Sequence, residues 1–185
     1  MPIKAPKIRI NTPADIIPYG RGFYQLEEEE LYLAVEYPKE RPRFFSYLES
    51  DSLSFHFDRH GRLIFIELPL PRRRWNVKDD LVFPERAKKA DIRFLDFRTQ
   101  FVSPAIFCDR TRENLMFRFG RGPAVYNYYL ARNLIAQVSA SNRLVALWVS
   151  DIVDDLAGRE ISAWRKQVHG EPIVLPPHLI QPARM

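Results

Sequence analysis

Two histidines and an aspartate lie within one short stretch, at His56, Asp58 and His60. Imidazole and carboxylate groups are common ligands of zinc and non-haem iron, and two histidines with one carboxylate can form a facial iron site. Alternate side chains of a strand share a face, so His56 and Asp58 are predicted on one side, with His60 at the turn that follows. No further strong ligand is near in the sequence, and a solvated hairpin edge is the alternative interpretation. A metal-dependent enzyme is therefore one of three functional hypotheses.

A second group combines arginines with an aromatic ring, the chemistry by which proteins hold single-stranded nucleic acid. Guanidinium groups neutralise phosphates, and exposed rings give bases a surface on which to stack. The candidate residues are Arg72, Arg73, Arg74 and Trp75 in one run, with Arg41 and Arg43 near the start of another strand. The alternative is a solvated basic connector whose arginines pair with nearby acidic residues, and the sequence patterns of an RNA-recognition module are absent. Single-stranded nucleic-acid binding is the second hypothesis.

Charge and motif content identify no partner by themselves. The formal net charge is +5 over 185 residues, which helps any polyanion approach without specifying one. The single cysteine, Cys108, excludes an internal disulfide framework and a multi-cysteine zinc site. The sequence has no nucleophile elbow, HExxH, EF-hand or P-loop pattern, so we predict no catalytic residue and no cofactor. Because no apolar run has the length of a signal peptide or a membrane span, we expect a soluble, cytoplasmic protein without a membrane partner.

The strands that must position these residues occur in two similar copies in the sequence. Residues 42–68 align without a gap to residues 123–149, and every apolar position from Leu53 to Leu68 meets an apolar residue in the second copy. Upstream, the run ELYLAVEY aligns with NLMFRFG if one loop is three residues shorter. Each copy predicts a β-meander closed by a tight hairpin, with Gly61 or Asn142 in the turn. A meander of this size exposes an apolar face, and a second copy can cover it.

The predicted organisation is a single two-repeat domain. Repeat one spans about 21–70, a connector about 71–102, repeat two about 103–150, and a C-terminal helix and tail 151–185. The connector is predicted to hold one helical turn at 85–90. Ser150 or Asp151 is suited to cap the C-terminal helix, and the proline-rich tail predicts an extended arm over the surface or onto a partner.

The first copy resembles small bacterial domains of unknown function. Their pattern is a leucine-tyrosine strand, a variable loop, an aspartate-glycine hairpin and an apolar strand that ends in isoleucine-glutamate. The matching residues here are Asp58, Gly61, Leu63, Ile64, Ile66 and Glu67. Phe65 stands where a glycine is usual, and the second copy departs further, with Asn142 for the glycine and Trp148 for the glutamate. The resemblance implies a compact β-rich unit over roughly half of the chain and transfers no catalytic residue.

The predicted fold class is mainly β, with two fused, pseudo-symmetric antiparallel meanders packed as a sandwich or barrel and a C-terminal helix. The first functional hypothesis is a non-catalytic binding or protein-interaction module. Its basis is the aromatic content, 13 Phe, 8 Tyr and 3 Trp, which a small core does not fully bury. Self-association through a strand edge or an aromatic face is the expected partner mode, with another protein or a nucleic acid as alternatives.

Overall fold

A computed structural model describes residues 2–12, 14–156 and 158–169, with only the backbone described for 167–169. The predicted proline-rich arm lies outside the described residues. Over these ranges the chain is mainly β, with two seven-stranded sheets, a two-stranded ribbon and one α-helix near the C-terminus. Both large sheets are open and antiparallel in their centres, which confirms the predicted fold class. No helix among the described residues is both long and apolar enough to cross a membrane.

The elements have the following bounds. The strands are β1 (Ile8–Asn11), β2 (Tyr19–Gln25), β3 (Glu30–Glu36), β4 (Ser46–Glu49), β5 (Ser54–Phe57), β6 (Leu63–Leu68), β7 (Asn76–Val77), β8 (Lys88–Lys89), β9 (Asp91–Phe94), β10 (Thr99–Gln100), β11 (Ala105–Cys108), β12 (Leu115–Arg118), β13 (Tyr126–Ala131), β14 (Leu134–Val138), β15 (Leu144–Val149) and β16 (Val153–Asp155). The helix is α1 (Arg159–His169), and a 3-10 turn occupies Arg72–Arg74.

The two meanders have the same strand order. Sheet one runs β10-β4-β5-β6-β3-β2-β16, and sheet two runs β8-β13-β14-β15-β12-β11-β7. The registers also agree, because Ser54 pairs with Glu67 as Ile135 pairs with Trp148, and each hairpin carries a bulge at the same place. The repeat predicted from the apolar pattern of the two hairpins therefore corresponds to equivalent strands.

The alignment of the two copies predicted from the sequence is wrong by one residue in the aromatic strands β4 and β13. Tyr47 pairs with His56, and the equivalent pair in sheet two is Asn127 with Gln137. The structural counterpart of Tyr47 is therefore Asn127 and not Tyr128. The shift arises because the connection from β13 to β14 contains one more residue than its counterpart, which β13 accommodates as an irregularity before Ala131.

The chain crosses between the sheets after each meander. Strand β7 leaves sheet one and adds in parallel to β11, whereas β16 leaves sheet two and adds in parallel to β2. The ribbon of β1 and β9 lies between the copies, and its backbone bonds to both hairpins. The Phe94 N–H donates to the Gly61 carbonyl at 2.8 Å, and the Ile8 N–H donates to the Asn142 carbonyl at 3.0 Å. Both turn residues have positive φ, 79° at Gly61 and 56° at Asn142, which aims these carbonyls at the ribbon.

The outer faces of the sheets have different covers. On sheet one, Ile161 and Trp164 of α1 pack over Phe23, Tyr32 and Phe65, and the Phe65 and Trp164 rings stack with centroids 3.5 Å apart. On sheet two, the connector supplies the cover. Its side chains Leu81, Phe83 and Ala87 pack against the cluster of Met116, Ile135, Ala146 and Trp148.

Two local predictions are corrected. Helix α1 begins at Arg159 and not near Asp151, because Val153–Asp155 pair with β2 instead. The Asp155 carboxylate lies 3.4 Å from the backbone nitrogens of both Glu160 and Ile161, at the start of the helix. The helical turn predicted at 85–90 does not form, because Lys88–Lys89 are extended as the edge strand β8 beside β13.

Replacing Gly61 with alanine is expected to destabilise the protein by at least about 2 kcal/mol, because an L-residue is disfavoured at this φ. A Cβ at this position would also lie 2.5 Å from the Phe94 carbonyl oxygen. Urea unfolding measures the change. The matched control is Asn142→Gly at the equivalent turn, which should stay within about 1 kcal/mol of the wild type. Equal losses in the two variants would contradict this explanation.

Candidate binding surface

The predicted metal ligands perform separate structural tasks. The carboxylate of Asp58 is buried and accepts hydrogen bonds from the His60 and Arg62 backbone N–H groups at 2.9 Å, and from Arg62 Nε at 2.6 Å. It thereby closes the β5–β6 hairpin and neutralises a partly buried arginine. His56 Nε2 instead faces Glu67, with 3.3 Å between Nε2 and Oε2. In the part of the chain that the structure describes, no group of three or more His, Cys, Asp or Glu side chains is arranged to hold a metal ion.

Ser54, His56 and Glu67 form a constellation that superficially matches a hydrolase triad. The Ser54 hydroxyl lies 3.5 Å from His56 Nε2, and the Glu67 carboxylate approaches the same nitrogen. A histidine that activates a nucleophile must bind the acid through one ring nitrogen and the hydroxyl through the other. Because both groups compete for Nε2, the arrangement is that of a surface ion pair on a sheet and not that of a triad.

The arginine run Arg72–Arg74 lies at the junction of the connector with sheet one. Arg72 stacks over the Tyr24 ring at 4.2 Å and pairs with Asp154 of β16 at 2.5 Å, while Arg73 pairs with Glu29. The ring of Trp75 is 3% exposed, and its Nε1–H donates to the Leu70 carbonyl at 3.1 Å. These contacts fasten β16 to β2, and they leave the Trp75 ring inside the core, where a base cannot stack on it.

A different part of sheet one presents exposed rings beside arginines. We name it the aromatic–arginine surface, and it consists of Arg41, Arg43, Phe44, Phe45, Tyr47 and Arg98. The rings of Phe44, Phe45 and Tyr47 are 41%, 54% and 38% exposed. Three exposed aromatic side chains within four residues of the chain are unusual enough to indicate a contact surface.

The backbone brings Arg98 to this surface from a distant part of the sequence. The Arg98 N–H donates to the Tyr47 carbonyl at 2.7 Å, and the chain then continues as β10 alongside β4. The Arg98 guanidinium carbon lies 5.8 Å from the Phe45 ring centroid, a cation–π distance. Among the described residues, no carboxylate forms an ion pair with Arg41, Arg43 or Arg98. Their charges are therefore available to a partner.

The surface is open because the helix covers only part of the sheet. Tyr47 pairs with His56, and the His56 ring meets the Trp164 ring edge-on at 6.4 Å. The Phe44 ring lies 5.4 Å from the other side of His56. In the described residues, α1 thus extends over β3 and β6 as far as His56, and the rings beyond it face outwards.

The sequence predicted some of this surface. Arg41 and Arg43 are among the binding residues predicted from the sequence, and they precede the exposed Phe44 and Phe45 in the chain; their role in binding stays a prediction. Phe44, Phe45 and Tyr47 belong to the predicted aromatic strand, but alternation alone does not tell which face of a strand is covered. Arg98 carries no local signal, because its position depends on the pairing of β10 with β4.

The His56–Glu67 pair makes a pH-dependent contribution to stability. The hydrogen bond from His56 lowers the pKa of Glu67, although burial opposes this effect. Because the folded pKa lies below the unfolded value, the ionised carboxylate stabilises the fold above about pH 4, and the contribution disappears as the pH falls through the folded pKa. Replacing Glu67 with glutamine should therefore cost about 0.5–1 kcal/mol near neutral pH and nothing at low pH. Unfolding titrations at several pH values measure this, with Glu49→Gln on the neighbouring exposed strand as a control that shows no such dependence.

Comparison with known proteins adds no assignment. No protein-family model matches the chain, and no curated protein shows significant sequence similarity to it. The resemblance of the first copy to small bacterial domains therefore stays a prediction, and functional inference depends on the geometry of the surface.

Proposed function

We propose that this protein is a non-catalytic binding protein that holds single-stranded nucleic acid on the aromatic–arginine surface. The observation that supports this most directly is the Arg98 guanidinium at cation–π distance from the exposed Phe45 ring, in a stretch that also carries exposed Phe44 and Tyr47. Arg41 and Arg43 precede these rings in the chain, and all three arginines lack ion-pair partners among the described residues. Stacked bases need ring faces, and phosphates need cations that are not already neutralised. The arginine run at 72–74 offers few cations that are not already neutralised, because Arg72 and Arg73 are paired with acidic residues.

The spacing of the groups fits a strand of nucleotides. Phe45 and Tyr47 are two apart on one strand, so their side chains project on the same side of the sheet. Arg41 and Arg43 precede them in the loop, and Arg98 reaches the Phe45 ring from the neighbouring chain segment. A nucleic-acid strand laid across the two rings would therefore pass the Arg98 guanidinium, with Arg41 and Arg43 in the loop that precedes the rings. Because every base has a stacking face and the contacts go to the phosphates, we expect little sequence preference.

Self-association is the competing use of the same surface. In a twofold dimer, identical patches meet, so Arg41, Arg43 and Arg98 would approach their own copies. Like charges across an interface oppose such contact, whereas a polyanion is attracted. Pairing through sheet edges is also disfavoured, because the terminal strands β7, β8, β10 and β16 have only two or three residues each.

Fluorescence anisotropy of labelled single-stranded DNA and RNA over a salt series tests the proposal. Changing Arg41, Arg43 and Arg98 together to alanine should weaken binding and make the slope of log K against log salt shallower by about 2, from about 0.7 for each lost contact. Changing Phe45 to alanine should cost about 1–3 kcal/mol with no change in slope, because only stacking is removed.

A charge-matched variant separates the site from the overall basic charge. Arg59, Arg74 and Arg121 are exposed and have no ion pair among the described residues, so their joint replacement by alanine removes the same charge elsewhere. This variant should bind nearly as the wild type does. An equal loss in the two triple variants, or no binding at low salt, would defeat the proposal. Sedimentation of the free protein, run in parallel, would reveal a dimer that occupies the surface instead.

A further inference from the structure

We infer that a second site, in the cleft between the two repeats, binds a small amphipathic anion, a carboxylate with an aliphatic body. The site is independent of the proposed nucleic-acid surface and shares none of its residues. It consists of an outer cleft with two cations and an inner compartment with mainly apolar walls. Ile16 and Pro38 line both parts, so the two adjoin each other.

The outer cleft has a volume of about 720 Å³. Its lining residues are Asp15, Ile16, Ile17, Tyr19, Pro38, Lys89, Tyr129 and Arg132. Arg132 is held in place, because its guanidinium carbon lies 4.3 Å from the Tyr19 ring centroid and its backbone N–H donates to the Pro18 carbonyl at 2.9 Å. Among the described residues, neither Arg132 nor Lys89 has an ion-pair partner. The cleft therefore carries two available positive charges against the single carboxylate of Asp15.

The inner compartment has a volume of about 240 Å³ and lies between repeat one and the start of repeat two. Its apolar walls are Ala14, Ile16, Pro18, Pro38, Ala90, Ile92 and Leu130. Of the five charged residues that border it, four form two ion pairs, and the fifth, Lys39, has no ion-pair partner among the described residues. Arg62 pairs with Glu40 at 2.5 Å, and Arg93 forms two hydrogen bonds of 2.9 Å to Asp91. Burial also raises the pKa of Tyr37, which keeps this neighbouring phenol neutral.

The two parts together specify the ligand chemistry. An apolar body gains from the apolar walls of the inner compartment, where Arg62 and Arg93 are already paired, and an anionic head gains from Arg132 and Lys89 at the outer cleft. Lys39, at the border of the inner compartment, adds a further positive charge that favours an anion. A cation would meet two like charges there, and a small polar anion would leave the inner walls unused. Ligand pockets commonly combine such apolar walls with a few converging polar groups.

Isothermal titration calorimetry with octanoate tests the inference. We expect saturable binding with a Kd on the order of 0.1–1 mM, as suits a ligand of few atoms. Changing Arg132 or Lys89 to alanine should weaken it about tenfold, because a charged hydrogen bond is lost. The control Arg121→Ala, in an exposed loop, should bind as the wild type does.

A matched pair of substitutions tests the inner compartment without removing a cation. Ile16 is 48% exposed, so polar replacements there should leave the fold intact. Ile16→Asp should bind octanoate about tenfold more weakly than Ile16→Asn, because only the former places a negative charge between the two parts of the site.

Two ligand comparisons and two further results can overturn the inference. Acetate binding as tightly as octanoate would show that the aliphatic body is not recognised. Octyltrimethylammonium binding as tightly would show that the negative head is not recognised. The inference also fails if octanoate gives no saturable heat, or if Arg121→Ala loses as much affinity as Arg132→Ala.

Discussion

Each large sheet takes one edge strand from chain that has just left the other sheet, and the rest of the structure depends on this exchange. The five antiparallel strands of each repeat have an apolar inner face, an apolar patch outside and an open edge at their first strand, β2 or β11. The segment that follows the other meander supplies the missing edge as β7 or β16, and then the cover of the outer face. The ribbon of β1 and β9 donates hydrogen bonds to the turn carbonyls of both hairpins and so links the two sheets. Neither repeat by itself supplies all the strands of its own sheet.

The exchange of edge strands also explains which arginine side chains are paired with other groups. Arg72 looks like a free cation in a basic run, but it lies where the chain crosses from one sheet to the other, and it holds Asp154 and the Tyr24 ring together. Two of the arginines without ion pairs among the described residues lie instead where two segments meet without a crossing. Arg98 lies beside β4 for this reason, and Arg132 lies over Tyr19 where the second hairpin region meets the chain entering β2. Architecture therefore decides which arginines remain available.

The hairpins were predictable from sequence, because eight apolar positions repeat at fixed spacing and Gly61 and Asn142 suit turns with positive φ. The crossing strands were not, because segments of two or three residues such as β7 and β16 are too short to show periodicity. Val153–Asp155 have a helical pattern in isolation, and pairing with β2 overrides it. For the candidate surface, Arg41 and Arg43 could be proposed from their aromatic neighbours. The burial of Trp75 and the arrival of Arg98 depend on contacts between distant residues, which one sequence does not reveal.

The parallel pairing of β16 with β2 also has a consequence for synthesis of the chain. Phe23 leaves the ribosome long before its edge partner Val153, which lies far along the chain. Sheet one therefore stays unfinished, with the backbone of β2 unpaired at its edge and the Phe23 and Phe65 rings uncovered, until translation has passed Trp164. Pairing between such distant segments is slow to form, and uncovered edges invite association with other chains. A nascent chain of this protein therefore exposes an unpaired strand edge and apolar rings until its last described strand and helix have been made.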